Sequence, residues 1–267
     1  MKKENVNSKA SNNKKGSRIK KILLVMGLVL LILSGAALYW INDGYDPMEE
    51  ALGSLEASKE VAVDIRDRWI HFQPAEDMDS LEERTGFIYY PGARVDHRSY
   101  GPLMHALARE GVEGFLVAMP LDLAILGSNR AEDIMDQYRE IDRWIIGGHS
   151  LGGAMAARFT YNHRELVEGL VLFASYPASS NDLSDFQNLS VLSIYGDLDG
   201  FVTAEDINNS EEYVPGNTQW LEIEGGNHSQ FGYYGFQRGD LEAKISREEQ
   251  HDQIIEGIML WLEAAGE

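Results

Sequence analysis

Hydrophobic and polar positions fall into a regular pattern from Val61 onward, where short apolar runs alternate with amphipathic stretches. The runs are Val61–Ile65, Trp69–Phe72, Gly86–Tyr90, Gly114–Met119, Trp144–Gly148, Gly169–Ala174, Val191–Tyr195 and Gln219–Ile223. Runs of this length, bounded by turn residues, read as strands, and nearly continuous apolar ones read as central parallel strands covered on both faces. The turn-like Arg66-Asp67-Arg68 makes the first two an antiparallel pair. Helical periodicity fills most later gaps, at Tyr100–Glu110, Ala131–Tyr138, Leu151–Asn162 and Arg247–Ala264. The pattern therefore predicts an α/β domain over 61–267, with two antiparallel strands followed by six parallel ones joined by crossovers.

Upstream the pattern changes. From Ile22 to Ile41 the chain reads ILLVMGLVLLILSGAALYWI, an uncharged run of 20 residues. As a helix it would extend about 30 Å, the hydrocarbon thickness of a bilayer. Tyr39 and Trp40 close it where an aromatic belt sits. Residues 1–21 carry eight Lys/Arg against Glu4 alone and lack apolar periodicity, so they read as a disordered basic segment. The positive-inside rule then makes the run a single-pass anchor, with the N-terminus cytoplasmic and the folded domain extracellular. Two other readings stand beside it: a signal peptide cleaved after Ala36, given Ser34-Gly35-Ala36, and a buried core helix. Residues 42–60 read as an acidic, partly helical connector.

Charge and composition narrow the function. The chain has a formal net charge of −20 and its first 21 residues are net +7, so the remainder bears −27. Such a domain repels phosphate backbones, which argues against nucleic-acid binding. The absence of cysteine removes thiol nucleophiles, Cys-ligated zinc and disulfides. No pattern calls for a cofactor or metal, and the acidic Gly196-Asp197-Leu198-Asp199-Gly200 lacks further carboxylates at calcium-loop spacing.

The chemistry concentrates in one motif. Gly148-His149-Ser150-Leu151-Gly152 follows a strand and opens a helix of small residues, the context of a nucleophile elbow. There a serine hydroxyl stands free beside a helix N-terminus, which favours developing negative charge. A serine needs a base and the base an orienting acid, in the chain order Ser, acid, His on this kind of elbow. Only His228 and His251 follow a candidate acid. His228, in a loop after the last strand, is preferred, because His251 reads as a solvated position on the final helix. Asp199 and Asp197 compete as the acid. Asp199 is favoured by its distance past the strand end, whereas Asp197 directly follows a turn glycine and reads as a turn cap. The oxyanion hole needs two backbone N–H groups: Leu151 after the nucleophile, and Ala93 in Tyr90-Pro91-Gly92-Ala93-Arg94, since Pro91 has no N–H to donate.

Together these residues resemble the α/β-hydrolase superfamily over about residues 60–265. More narrowly they resemble a bacterial group of small membrane-anchored hydrolases, mostly Gram-positive. The marks are Tyr90-Pro91-Gly92 with Val95-Asp96, the run Gly147 to Ala156 around Ser150, and Gly226-Asn227-His228-Ser229-Gln230-Phe231-Gly232. The resemblance implies the α/β-hydrolase fold, a triad of Ser150, Asp199 and His228, and esterase-like hydrolysis of a small-molecule ester, thioester or small amide without a cofactor. The His-Gly usual before the oxyanion donor is Pro91-Gly92 here. Dienelactone hydrolases are also similar, but they use a cysteine nucleophile, so their activity does not carry over. An acyltransferase or peptidase would use the same triad, and a catalytically silent binding protein would use the same cleft. The stretch 175–190 is too short for a helical cap, which predicts an open site; Tyr100, Phe231, Tyr233 and Tyr234 are candidates for its rim, although each reads first as a packing residue.

Overall fold

The computed structural model describes residues 20–35, 40, 43–75 and 83–265. Eight strands form one sheet in the order β1-β2-β4-β3-β5-β6-β7-β8. They are β1 (Val61–Ile65), β2 (Trp69–Pro74), β3 (Thr85–Tyr90), β4 (Glu113–Val117), β5 (Arg143–His149), β6 (Gly169–Phe173), β7 (Ser190–Gly196) and β8 (Gln219–Ile223). β2 runs antiparallel to both its neighbours. From β4 through β8 every pairing is parallel. The described helices of the domain are α1 (Glu49–Gly53), α2 (Gly101–Arg109), α3 (Arg130–Gln137), α4 (Leu151–Asn162), α5 (Ala204–Ser210) and α6 (Arg247–Ala265).

The apolar strand runs divide into two cores by the period-2 alternation of a pleated strand. Phe87, Tyr89, Ile145, Val171 and Phe173 face one side, where Leu103 and Leu107 of α2 and Ile254, Ile258 and Trp261 of α6 cover them. Ile88, Tyr90, Ile146, Leu170 and Leu172 face the other, against Ile134 of α3 and Ala156, Ala157 and Phe159 of α4. Burial on both faces explains why the central runs are continuous rather than alternating. The edge strand β8 is short and mostly exposed, with Gln219 and Glu222 among its outward residues, and short, charged edges resist pairing with another chain.

Most expected elements appear with ends displaced by a residue or two. Helix α5 had no counterpart in the sequence reading, because Ile207 is its one buried apolar side chain. Its signal was the capping box: the Thr203 hydroxyl accepts from the Asp206 amide while Asp206 accepts from the Thr203 amide. The connector also differs from expectation. Tyr45–Glu267 is one compact unit. The Tyr45 amide donates to the Arg94 carbonyl at 2.7 Å and the Met48 amide to the Tyr233 carbonyl at 2.8 Å, so these residues belong to the domain.

Residues 20–35 are helical with exposed side chains. The rest of the 22–41 run lies partly, and residues 1–19 wholly, outside the described residues. Among the described residues no helix is long and apolar enough to cross a membrane.

Candidate active site

Because β3 and β5 to β8 run parallel, the segments that follow them emerge at one edge of the sheet. That edge receives Ala93 after β3, Ser150 after β5, Asp199 after β7 and His228 after β8. This is how residues spread over more than a hundred positions come together.

Ser150 has φ 53° and ψ −121°, a conformation most side chains avoid, costing about 1–3 kcal/mol. The surroundings hold it there. Its amide donates to the Phe173 carbonyl at 2.9 Å, and its carbonyl accepts from Ser175 Oγ at 2.7 Å. Glycine is required on either side, since a Cβ on Gly148 would lie 2.5 Å from the Tyr90 carbonyl oxygen and one on Gly152 would press on the Tyr90 and Pro91 carbonyls.

His228 and Asp199 are both buried, and His228 Nδ1 lies 2.7 Å from Asp199 Oδ2. The other oxygen, Asp199 Oδ1, accepts from the amides of Phe201 at 2.8 Å and Val202 at 2.7 Å. The carboxylate is thus fully engaged, with one oxygen aimed at the imidazole. Since an ionised carboxylate only accepts, Nδ1 bears the proton and Nε2 is the free, basic nitrogen. The His228 ring lies 4.3 Å, centroid to centroid, from that of His149, which precedes Ser150. Asp197 instead is exposed, and its Oδ1 accepts from the Gly225 amide at 2.6 Å, a tie between turns.

In the turn after β3, the Gly92 amide donates to Tyr100 Oη at 3.1 Å and the Arg94 amide to the Asp122 carbonyl at 2.7 Å. The Ala93 amide between them has no hydrogen-bond partner among the described residues, nor has that of Leu151 at the start of α4. Both amides are thus left available at the carboxyl ends of the strands.

Of the remaining expectations, the packing reading of the four aromatics agrees with their burial, and the solvated reading of His251 needs correction. Tyr100, Phe231, Tyr233 and Tyr234 do not rim an opening; all four are buried. Phe231 lies 5.5 Å from the His149 ring and Tyr100 lies 5.9 Å from it, so they pack beneath the site. An exposed aromatic does lie beside the site: Phe201, 5.0 Å from the His228 ring, which no sequence pattern had singled out. His251 is buried rather than solvated. Its Nε2 lies 3.0 Å from the Gln230 carbonyl, and burial pushes its pKa down to about 4. Burial also holds His149 well below the ordinary histidine range, reinforced by the nearby His228.

Comparison with known proteins agrees with this architecture. The model of the alpha/beta hydrolase family matches residues 86–252, more than half of the chain. No curated protein sequence matches. Among solved structures, the chain is similar to a dienelactone hydrolase of Anabaena variabilis at 12% identity and a TM-score of 0.58, covering 75% of this chain and 98% of that one. It is similar to Est1E of Butyrivibrio proteoclasticus at 13% identity and a TM-score of 0.52, covering 76% and 99%. A thermophilic esterase of Thermogutta terrifontis also matches at 13% identity and a TM-score of 0.52, covering 76% and 92%. These identities speak to the fold alone. With the family model spanning β3 to α6, the chain belongs to the alpha/beta hydrolase family.

Proposed function

We propose that this protein is a serine hydrolase that cleaves an ester, thioester or small amide through an acyl-enzyme. The observation behind it is the 2.7 Å Asp199–His228 bond, set at the same sheet edge as the strained elbow of Ser150. In this reading His228 Nε2 takes the Ser150 proton as Oγ attacks the substrate carbonyl. The amides of Ala93 and Leu151 receive the oxyanion, and the imidazolium returns its proton to the departing alcohol, thiol or amine. Water then repeats the sequence, and its attack frees the acid and the serine. Asp199 stays ionised and holds the imidazole in its tautomer. No step calls on a cofactor.

The deciding experiment is labelling with a fluorophosphonate. Ser150 Oγ bonds to phosphorus, fluoride leaves, and the serine proton passes to His228. One adduct on Ser150 is expected, and Ser150→Ala should abolish it. Labelling that persists in that variant, or lands on another residue, refutes the assignment.

The same proposal extends to location: a single-pass membrane protein, anchored through residues 22–41 with the hydrolase domain outside. The support is the uncharged length of that run and the basic segment before it. External protease on intact cells should digest the domain. A free form starting at Ala37 would refute the anchor.

A further inference from the structure

We propose that Asp240 is a positioning residue of this site, a single buried carboxylate that ties the acid-bearing loop to the histidine-bearing loop. The inference rests on the Ser150–His228–Asp199 reading above. Asp240 is buried, and its two oxygens divide their bonds between two loops. Oδ1 accepts from the Gly200 amide at 2.9 Å and from the Leu241 amide at 2.9 Å. Oδ2 accepts from the Ser229 amide at 2.7 Å and from Ser229 Oγ at 2.6 Å. The Ser229 hydroxyl also accepts from the Gln237 amide at 2.8 Å, fixing the return loop that brings Asp240 back.

What matters is where these donors lie in the chain. Gly200 directly follows Asp199, and Ser229 directly follows His228. The loops leave the neighbouring strands β7 and β8, and their own hydrogen bonds tie them before the reacting residues, from the Leu198 amide to the Gly226 carbonyl at 3.0 Å and from the Gly225 amide to Asp197 Oδ1 at 2.6 Å. Further out, at the acid, the histidine and the residues that follow them, two more links run in parallel: the side-chain bond from Asp199 to His228, and the bridge from Gly200 through Asp240 to Ser229. The first is the reacting machinery. The second fixes the backbone on which both side chains are mounted, so the imidazole need not be held by the very bond that changes character during turnover. A charged acceptor suits the task, because hydrogen bonds to ionised groups are shorter and stronger than neutral ones.

The near-isosteric Asp240→Asn tests this. An asparagine has one oxygen and one NH₂, so whichever way it turns, it presents donors to one loop's donors and releases that loop. Ser229→Ala is milder, removing the Oγ bonds but keeping the Ser229 amide bond to Asp240. The readouts are the rate constant and final extent of fluorophosphonate labelling on the full-length protein, with kcat and KM for p-nitrophenyl acetate. For Asp240→Asn we expect labelling to full extent at a rate about 10–100-fold below wild type, in kcat rather than KM, as for a small misplacement of a reacting group. Ser229→Ala should fall between the two. A purely structural role would lower the labelled fraction and leave the rate of the folded molecules unchanged, and that result overturns the proposal. Should Asp240→Asn not fold, Ser229→Ala decides: a reduced rate at full extent supports the bridge, and a wild-type rate overturns it. Failure of the wild-type protein to label at all would instead refute the triad reading itself.

Discussion

The Tyr100 hydroxyl lies 2.9 Å from Nδ1 of His149, in a fully buried contact directly beneath the turn that presents Ala93. The direction of the bond follows from its neighbours. Tyr100 Oη accepts from the Gly92 amide, so its own hydrogen is free to donate to His149 Nδ1. His149 is therefore neutral with its proton on Nε2, a buried atom without a hydrogen-bond partner among the described residues. One phenol thus joins the residue before Ser150 to the turn that carries Ala93, the proposed oxyanion donor.

Tyr100→Phe would leave the Gly92 amide and His149 Nδ1 both buried and unpaired. Unmade buried hydrogen bonds cost about 1–3 kcal/mol each, so a loss of about 2–6 kcal/mol is expected in urea unfolding. Turnover should also fall about tenfold, because the Gly92–Ala93 turn loses its anchor. Unchanged stability and turnover would show that the phenol holds nothing.

The two aspartates after β7 should separate cleanly. Asp199→Asn places an NH₂ group against Nδ1 or against the amides of Phe201 and Val202, and the imidazole loses its orientation. A fall in kcat of about 10³ to 10⁴ is expected. Asp197→Asn keeps an acceptor for the Gly225 amide and should cost far less. Steady-state kinetics on one model ester compares the two, and the reverse ranking would transfer the role to Asp197.

Ser150→Ala should lower turnover by on the order of 10⁴ or more, and adding His228→Ala should lower it little further. Nucleophile and base act as one unit, so their losses do not add. Additive losses in the double variant would mean that His228 does not serve Ser150.

Stability should begin to decline in mild acid, above the ordinary carboxylate range. His251 is neutral when folded, with a pKa of about 4, and near 6.5 when unfolded. Below 6.5 the unfolded chain binds a proton that the folded one refuses, so stability is intact above 6.5 and falls until about pH 4. That gap corresponds to about 3 kcal/mol. His149, also depressed by burial, adds a loss of the same sign. Glu113 and Asp96, held below their ordinary values of 4.5 and 3.8, add theirs only at lower pH. Thermal unfolding from pH 7.5 to 4 should show a steeper slope for wild type than for His251→Gln. Equal slopes would mean that His251 is not the titrating group.

Legibility differs by the range over which each property is set. Strands and their burial were readable because apolar runs such as Gly169–Ala174 leave no polar face to expose, whatever they pack against. The elbow was readable because steric demands at Gly148, Ser150 and Gly152 are local, and local demands restrict residue type. The preference for Asp199 over Asp197 came from spacing along one loop, which the backbone path alone governs. By contrast, the burial of His251, the buried rings of Tyr100, Phe231 and Tyr234 around His149, and the exposure of Phe201 depend on which segments lie against them. The Tyr100–His149 and Asp240–Ser229 bonds join residues 49 and 11 positions apart. A hydrogen bond at such separation leaves no periodic trace, because a tyrosine or aspartate serves equally well in solvent, and only the folded sheet edge brings its partner within reach.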